Sequence, residues 1–352
     1  MCVLALLISA CGPPAGTAAH GSPSTYASPL TSSTPVTQTT SPLASPFSSP
    51  SLPAAVAANL ACRLPAITPV TGGYDRGWIT FPGGTFLRDP ANLAVRQETL
   101  PSYDQAIGAW VPVEPEKVAP DGASYVLTGY NSAPPFYLVD AKTGNRRLIL
   151  PEEREGPIQG SAWKVIQYAS EGIYLWTGNA GMEIPVPGLW LLSPETGVVR
   201  LVDGSHYWGK VQGGVAWGLD EPNTRASASK VYRLDLSTGK VTTVYESKSD
   251  VRLLSPTTDG DMLIDYGKIG SPRLALLGGL GSFAPIELPL GFPPIYNARM
   301  AEPGVWLAVF GEAWSGIALY LKGEGVTIMA INHDLRPGLP GGLFYDAAGD
   351  CF

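Results

Sequence analysis

Histidine, cysteine and charge are scarce in this chain, and each scarcity removes a class of function. There are three histidines in 352 residues, and only His206 and His333 fall outside the N-terminal Ser/Thr/Pro-rich stretch, which argues against a histidine-rich metal or redox centre. The four cysteines include no Cys-x-x-Cys pair. The chain likewise has no His-Glu-x-x-His, no Walker loop and no Gly-x-Ser-x-Gly elbow. Charged residues make up 15% of the chain and leave a net charge of −7, which disfavours nucleic acid as a partner. No stretch holds a helical period, so a separate helical domain is not expected. No metal or cofactor is expected either.

What the chain has instead is a period. Gly197, Gly239, Gly281 and Gly323 stand 42 residues apart, and Gly144 precedes them in the same context. The text around three of them is alike: Leu138-Val-Asp-Ala-Lys-Thr-Gly144, Leu192-Ser-Pro-Glu-Thr-Gly197 and Leu234-Asp-Leu-Ser-Thr-Gly239. Short apolar runs at this repeat length predict an all-β propeller of four-stranded blades, six by this count, with seven as the alternative. The Thr-Gly sits at a hairpin tip, where glycine supplies positive φ, and Asp140 and Asp235 open the same turn to bond its amides. Strand-like runs place the blades at Gly77–Phe81 with Ala109–Val113, then Lys117–Leu150, Trp163–Val202, Trp208–Tyr245, Val251–Leu288 and Asn297–Ile331. The tail Leu343-Phe-Tyr-Asp346 completes a terminal blade. With its Pro120-Asp121-Gly122 turn, residues 62–352 resemble TolB-like and WD-repeat-like propellers. That resemblance implies a fold and a tendency to bind partners, and carries over no active-site residue.

The ends of the chain speak of export. Residues 1–11 are a short apolar run ending Ile8-Ser-Ala-Cys11, which resembles a bacterial lipobox with Cys11 as the lipidated residue, although no basic residue precedes it. Residues 12–61 contain no Asp, Glu, Lys or Arg and are rich in Ser, Thr, Pro and Ala. Such a segment cannot bury enough apolar surface to fold. As a flexible tether it would hold the domain on the order of 40 Å from a membrane. Cys62 and Cys351 bracket residues 62–352, and in an exported propeller, whose ends meet, they are expected to form a disulfide. Closing so long a loop contributes roughly 4–5 kcal/mol in the chain-entropy account.

Two groups of residues suggest binding. Arg76, Lys117, Lys164, Lys210, Arg252 and Arg299 recur at spacings of 41 to 47 residues near the expected start of each innermost strand. On that reading they ring one channel mouth and attract an anionic ligand. Tyr207, Trp208, Tyr296 and Trp314 fall in inter-blade loops, where aromatic faces anchor glycans or proteins. By contrast Trp78, Trp176, Trp190, Trp217 and Trp306 fall mid-strand and read as core. The expected function is a monomeric, membrane-anchored extracytoplasmic propeller that binds a protein, glycan or small ligand. One alternative is an exported glycosidase or lyase using loop carboxylates such as Asp220, Glu221, Glu312 or Asp334. The other is a structural envelope scaffold. The N-terminal reading is checked by mass spectrometry of the membrane fraction. The expected mature chain begins at an acylated Cys11, and a soluble chain with Cys11 unmodified would contradict it.

Overall fold

The computed structural model describes residues 60–70, 73–91, 100–128, 136–153, 161–179, 185–221, 228–248, 250–268, 270–311, 315–332 and 345–352, all within the unit Pro50–Phe352. Cys11 and nearly all of the 12–61 segment lie outside the described residues. Six blades stand in a ring, a six-bladed β-propeller. Blades 3 to 6 are antiparallel meanders in chain order, with innermost strands Ser161–Ala169, Tyr207–Gln212, Arg252–Pro256 and Ile295–Ala301. In blade 2 the regular strands are Ser124–Thr128, Phe136–Asp140 and Arg146–Ile149. Its innermost element is a 3-10 turn, Pro115–Lys117, followed by one bridge from Val118 to Tyr125. Pro115 opens that element and Pro120 follows it, and without their amide donors a longer ladder cannot form.

Blade 1 is composite. Asp346–Ala347 is its innermost strand, followed outward by Arg63–Val70, Gly73–Thr80 and Thr85–Arg88. The last residues of the chain thus pair with the first strand and close the ring. Cys62 and Cys351 are bonded beside this seam, with Cα atoms 5.6 Å apart across 289 residues. Arg63 N donates to Phe352 O at 2.7 Å and Phe352 N donates back to Arg63 O at 3.2 Å.

The blade 1 expectation is corrected in two respects. The blade begins at Arg63, not Gly77, and Ala109–Val111 belongs to a separate hairpin with Ser102–Asp104. Pro65 and Pro69 disguise the Arg63–Val70 strand. Its inner neighbour is only two residues long, so the prolines have little ladder there to break.

The burial of each strand follows its place in the blade. Middle strands are covered on both faces by neighbouring blades and are apolar throughout, as in Val215–Leu219, Leu274–Leu277 and Gly304–Phe310. Outer strands such as Lys240–Glu246 are mostly exposed and carry Lys, Thr and Glu. Large apolar clusters fill the gaps between blades 2 and 3, 3 and 4, 4 and 5, 5 and 6, and 6 and 1. The gap between blades 1 and 2 is filled differently. The inserted hairpin brings Tyr103 and Trp110 against Trp78 and Phe352, with ring centroids 4.7–5.6 Å apart. Arg63 lies over Trp78 and Arg76 over Trp110.

The 42-residue period is the spacing of one turn. Gly144, Gly197, Gly239, Gly281 and Gly323 all sit at φ between 70° and 86°, each between the third and outer strands of its blade. Asp140 accepts hydrogen bonds from Lys142 N and Thr143 N, and Asp235 does the same for Ser237 N and Thr238 N. These acids are turn-makers, as the sequence suggests.

Ring closure is testable. Cys62→Ala is expected to lower unfolding free energy by about 4 kcal/mol, read as a lower denaturant midpoint, with the low-temperature far-UV spectrum unchanged. Identical midpoints with and without the bond would show that the seam holds without it.

Candidate functional site

All four meandering blades carry the same irregularity. Each innermost strand slips register against its neighbour, between Val165 and Gln167, Trp208 and Lys210, Leu253 and Ser255, and Ile295 and Asn297. A bulge re-aims the side chains next to it. Residues at these slips, among them Ile166, Gln167, Gly209, Lys210, Ser255, Tyr296 and Asn297, line cavities on the propeller axis.

Two such cavities stand out among the described residues. A wide chamber of about 630 Å³ opens among the ends of the innermost strands, near Ala169, Gln212, Pro256 and Ala301. A narrower one of about 410 Å³ opens among their beginnings, near Val165, Gly209 and Tyr296. They share Glu116, Ile166, Lys210 and Arg299, which form a waist between them.

The waist is charged. Arg299 is 5% exposed; its Nη1 donates to Ala347 O at 2.6 Å, and its Nε lies 3.7 Å from Glu116 Oε1. Asp346 is buried as well and accepts from Asn297 Nδ2 at 2.7 Å. Burial opposes ionisation of Glu116, yet Arg299, Lys210 and its own backbone amide hold its carboxyl below the usual range. For Asp346 burial wins: Arg299 and Asn297 offset it only in part, Glu116 and Glu114 add repulsion, and the carboxyl is pushed up. Arg299 resists its own burial because Glu116 and Asp346 both face it, and its pKa is raised. The 29% of Glu116's side chain that stays accessible faces the channel.

The expected cation ring does not form. Arg76 stands on the third strand of blade 1, where its Nη2 donates to Ala91 O, so blade 1 presents Asp346 to the axis instead. Lys117 pairs with Glu114 at 3.0 Å. Lys164 lies over the Trp176 ring at 5.1 Å. Arg252 turns between blades 5 and 6, bonding Asp265 at 3.1 Å and Ile295 O at 2.8 Å. Only Lys210 and Arg299 of the six line the chambers. Charge spacing in sequence does not report side-chain direction, and the bulges change that direction within a strand.

The aromatic group also divides. Tyr296 is 63% exposed at the mouth of the narrow chamber, whose wall Tyr74 and Trp176 continue. Trp208 is buried between blades 3 and 4 and donates to Asp203, so it is core rather than binding surface. Tyr207 is half-buried and lines neither chamber. Of the tryptophans read as core, Trp190, Trp217 and Trp306 are buried, whereas Trp176 faces the narrow chamber. Trp314, His333, Glu312 and Asp334 lie outside the described residues. Asp220 caps the Ser229 and Lys230 amides, and neither it nor Glu221 reaches a chamber.

His206, Asp203 and Ser205 have the composition of a catalytic triad but not its arrangement. They are neighbours in one turn, where Asp203 accepts from Ser205 N, Ser205 Oγ and Trp208 Nε1. The imidazole packs on Tyr232 at 3.7 Å, and burial lowers its pKa more than Asp203 raises it. Among the described residues no three His, Cys, Asp or Glu side chains are grouped to hold a metal ion.

Glu116, Asn297 and Asp346 escaped the sequence reading. Asp346 had a signal: it is a lone acid in the closing segment Tyr345-Asp-Ala-Ala348, where an acid needs a buried partner.

The raised pKa of Asp346 has a sign. The folded protein holds that proton more tightly than the unfolded chain, so this group costs stability as pH rises from about 4 through its folded value. Asp346→Asn is therefore expected to gain stability relative to wild type over that interval, in urea titrations across pH. A difference that stays flat or moves the other way would refute the assignment.

No protein-family profile matches the chain, and no curated protein matches it. Solved structures similar to it include TolB from Acinetobacter baumannii, at TM-score 0.48 and 14% identity over 82% of this chain and 65% of that one. A putative TolB from Agrobacterium tumefaciens gives 0.44 and 12%, over 78% and 91% of the two chains. A prolyl endopeptidase gives 0.49 and 12%, over 78% and 51%. At these identities the likeness concerns the propeller architecture alone.

Proposed function

We propose that the chain is an exported propeller that binds a small polar ligand in its axial channel without transforming it. The carrying observation is the pair of chambers meeting at Glu116, Lys210 and Arg299, reached through bulges repeated in four blades. Volumes of 410 and 630 Å³ suit small ligands. The disulfide at the seam supports export. A lipid on Cys11 and the uncharged 12–61 segment would then place the propeller at a membrane surface as a monomeric, tethered receptor.

A carbohydrate-active enzyme is the second reading, favoured by Glu116, Glu114 and Asp346 beneath Tyr74, Trp176 and Tyr296 in the narrow chamber. Against it, Glu116 and Asp346 both face Arg299 and Glu114 pairs with Lys117, so each acid is answered by a cation. A scaffold role leaves the open chambers without a purpose.

Thermal unfolding across a library of small polar compounds tests the reading. A ligand at a hundred times its dissociation constant adds about 2.7 kcal/mol of stability. Gln212→Trp, at the wall of the wide chamber, is expected to abolish the shift for a ligand held there, while Thr242→Trp on an exposed outer strand preserves it. Equal shifts in both variants and wild type would exclude the wide chamber as the site.

A further inference from the structure

The two chambers differ in the charge they show a ligand. On the narrow side the waist presents Lys210 and Arg299 against Glu114, Glu116 and Asp346. On the wide side Glu114 and Asp346 are hidden, and Lys210 and Arg299 face only Glu116. The floor of the wide chamber therefore carries one more positive charge than negative. Glu116 pairs with Arg299 and also feels the charge of Lys210, whose side chain makes no hydrogen bond or ion pair among the described residues. Arg299 Nε, 3.7 Å from Glu116 Oε1, has no partner within hydrogen-bond distance, although the side chain is 95% buried and its Nη1 is fixed by Ala347 O. A buried donor left this way is costly unless something fills its place.

Further out, the same chamber is acidic. Asp104, on the inserted hairpin, Glu171, in the turn after the innermost strand of blade 3, and Asp350, near the C-terminus, all line it. Among the described residues none of the three has a cation within ion-pair distance. Asp104 accepts from the Ala106 amide, Glu171 from the Tyr174 and Ser170 hydroxyls, and Asp350 from the Glu302 amide. Between floor and rim stand the amides of Gln167 and Gln212. A purely cationic ligand meets repulsion at the floor, and a multiply charged anion meets it at the rim. A neutral sugar leaves Lys210 unanswered.

We infer that the wide chamber binds a small zwitterion carboxylate-first: a short peptide or amino acid whose carboxylate meets Lys210 and Arg299 and whose ammonium faces Asp104, Glu171 and Asp350. The inference rests on the binding reading above and names its ligand class. A carboxylate is planar and accepts two donors at once, which matches a guanidinium edge beside an ammonium. The glutamine amides supply a donor and an acceptor each for a peptide bond between the two ends.

Isothermal titration of the wild-type protein with four probes tests it: trialanine, trialanine amide, N-acetyl-trialanine and the neutral sugar maltotriose. Trialanine is expected to saturate a single site at millimolar concentration or below. Blocking either end is expected to weaken binding by about tenfold, the worth of one hydrogen-bonded charge. Lys210→Gln should weaken trialanine by a similar factor but barely change the amide, because the substitution and the block remove the same contact. The wild-type comparison of free and blocked peptides stands even if that variant does not fold. Equal affinity for trialanine and its amide overturns the inference. So does saturable binding of maltotriose with none of trialanine, an outcome that leaves the broader binding reading intact. If no probe binds, the inference falls, and the library screen decides the broader reading separately.

Discussion

The seam at Asp346–Ala347 is where the circular architecture is won or lost. A propeller is a row of blades, each burying its faces against two neighbours, and an open row would leave two apolar faces wet. Here the C-terminal segment supplies the innermost strand of blade 1, pairing Ala347 with Ala66 and Asp346 with Ile67. Two residues make a short ladder, so other contacts reinforce it. Arg299 holds Ala347 O from blade 6, Ala348 N donates to Pro65 O, and the Cys62–Cys351 bond ties the two chain ends together. Phe352 adds an aromatic contact to Trp78 and Tyr103, in the gap between blades 1 and 2.

Closing the ring this way also places charge at its centre. Asp346 comes in on the closing strand, Arg299 on blade 6 and Glu116 on the abbreviated innermost element of blade 2. An unpaired charge in such a place would cost several kcal/mol, so the three are held as a set, with Asn297 donating to Asp346 Oδ2 at 2.7 Å. Arginine suits the role because its fork reaches a backbone carbonyl and a carboxylate in different directions. The structural and the candidate binding functions share atoms: Arg299, which latches the ring, and Glu116 lie at the floor of both chambers.

Legibility in the sequence followed locality. The turns at Gly144, Gly197 and Gly239 were readable because an Asx or Ser turn closed by a left-handed glycine needs only five consecutive residues. Fully buried strands such as Val215–Leu219 were readable because burial on both faces leaves an unbroken apolar run. The disulfide was readable because a ring brings its ends together. The cation spacing misled because position along a strand does not say which way a side chain points. Arg252 opens its innermost strand ahead of the bulge and pairs with Asp265 between blades, whereas Arg299 lies past the bulge of its own strand and reaches Glu116 at the axis. Trp208 misled for a related reason: a tryptophan just after a loop, bonded back to Asp203, is core once the next blade covers it.

By itself the amino-acid sequence determined the repeat, the all-β blades, the hairpin turns and the pairing of Cys62 with Cys351, since each rests on local backbone chemistry or on the topology of a closed row. Only the tertiary structure decided what the axis contains. The innermost strand of blade 1 comes from residues 346–347 rather than from the N-terminal run, which puts an acid where a base was expected. The bulges then select which neighbours of that strand face inward. Side chains far apart in sequence meet at the waist because the innermost elements of separate blades converge there, and convergence is a property of the ring that no single segment encodes.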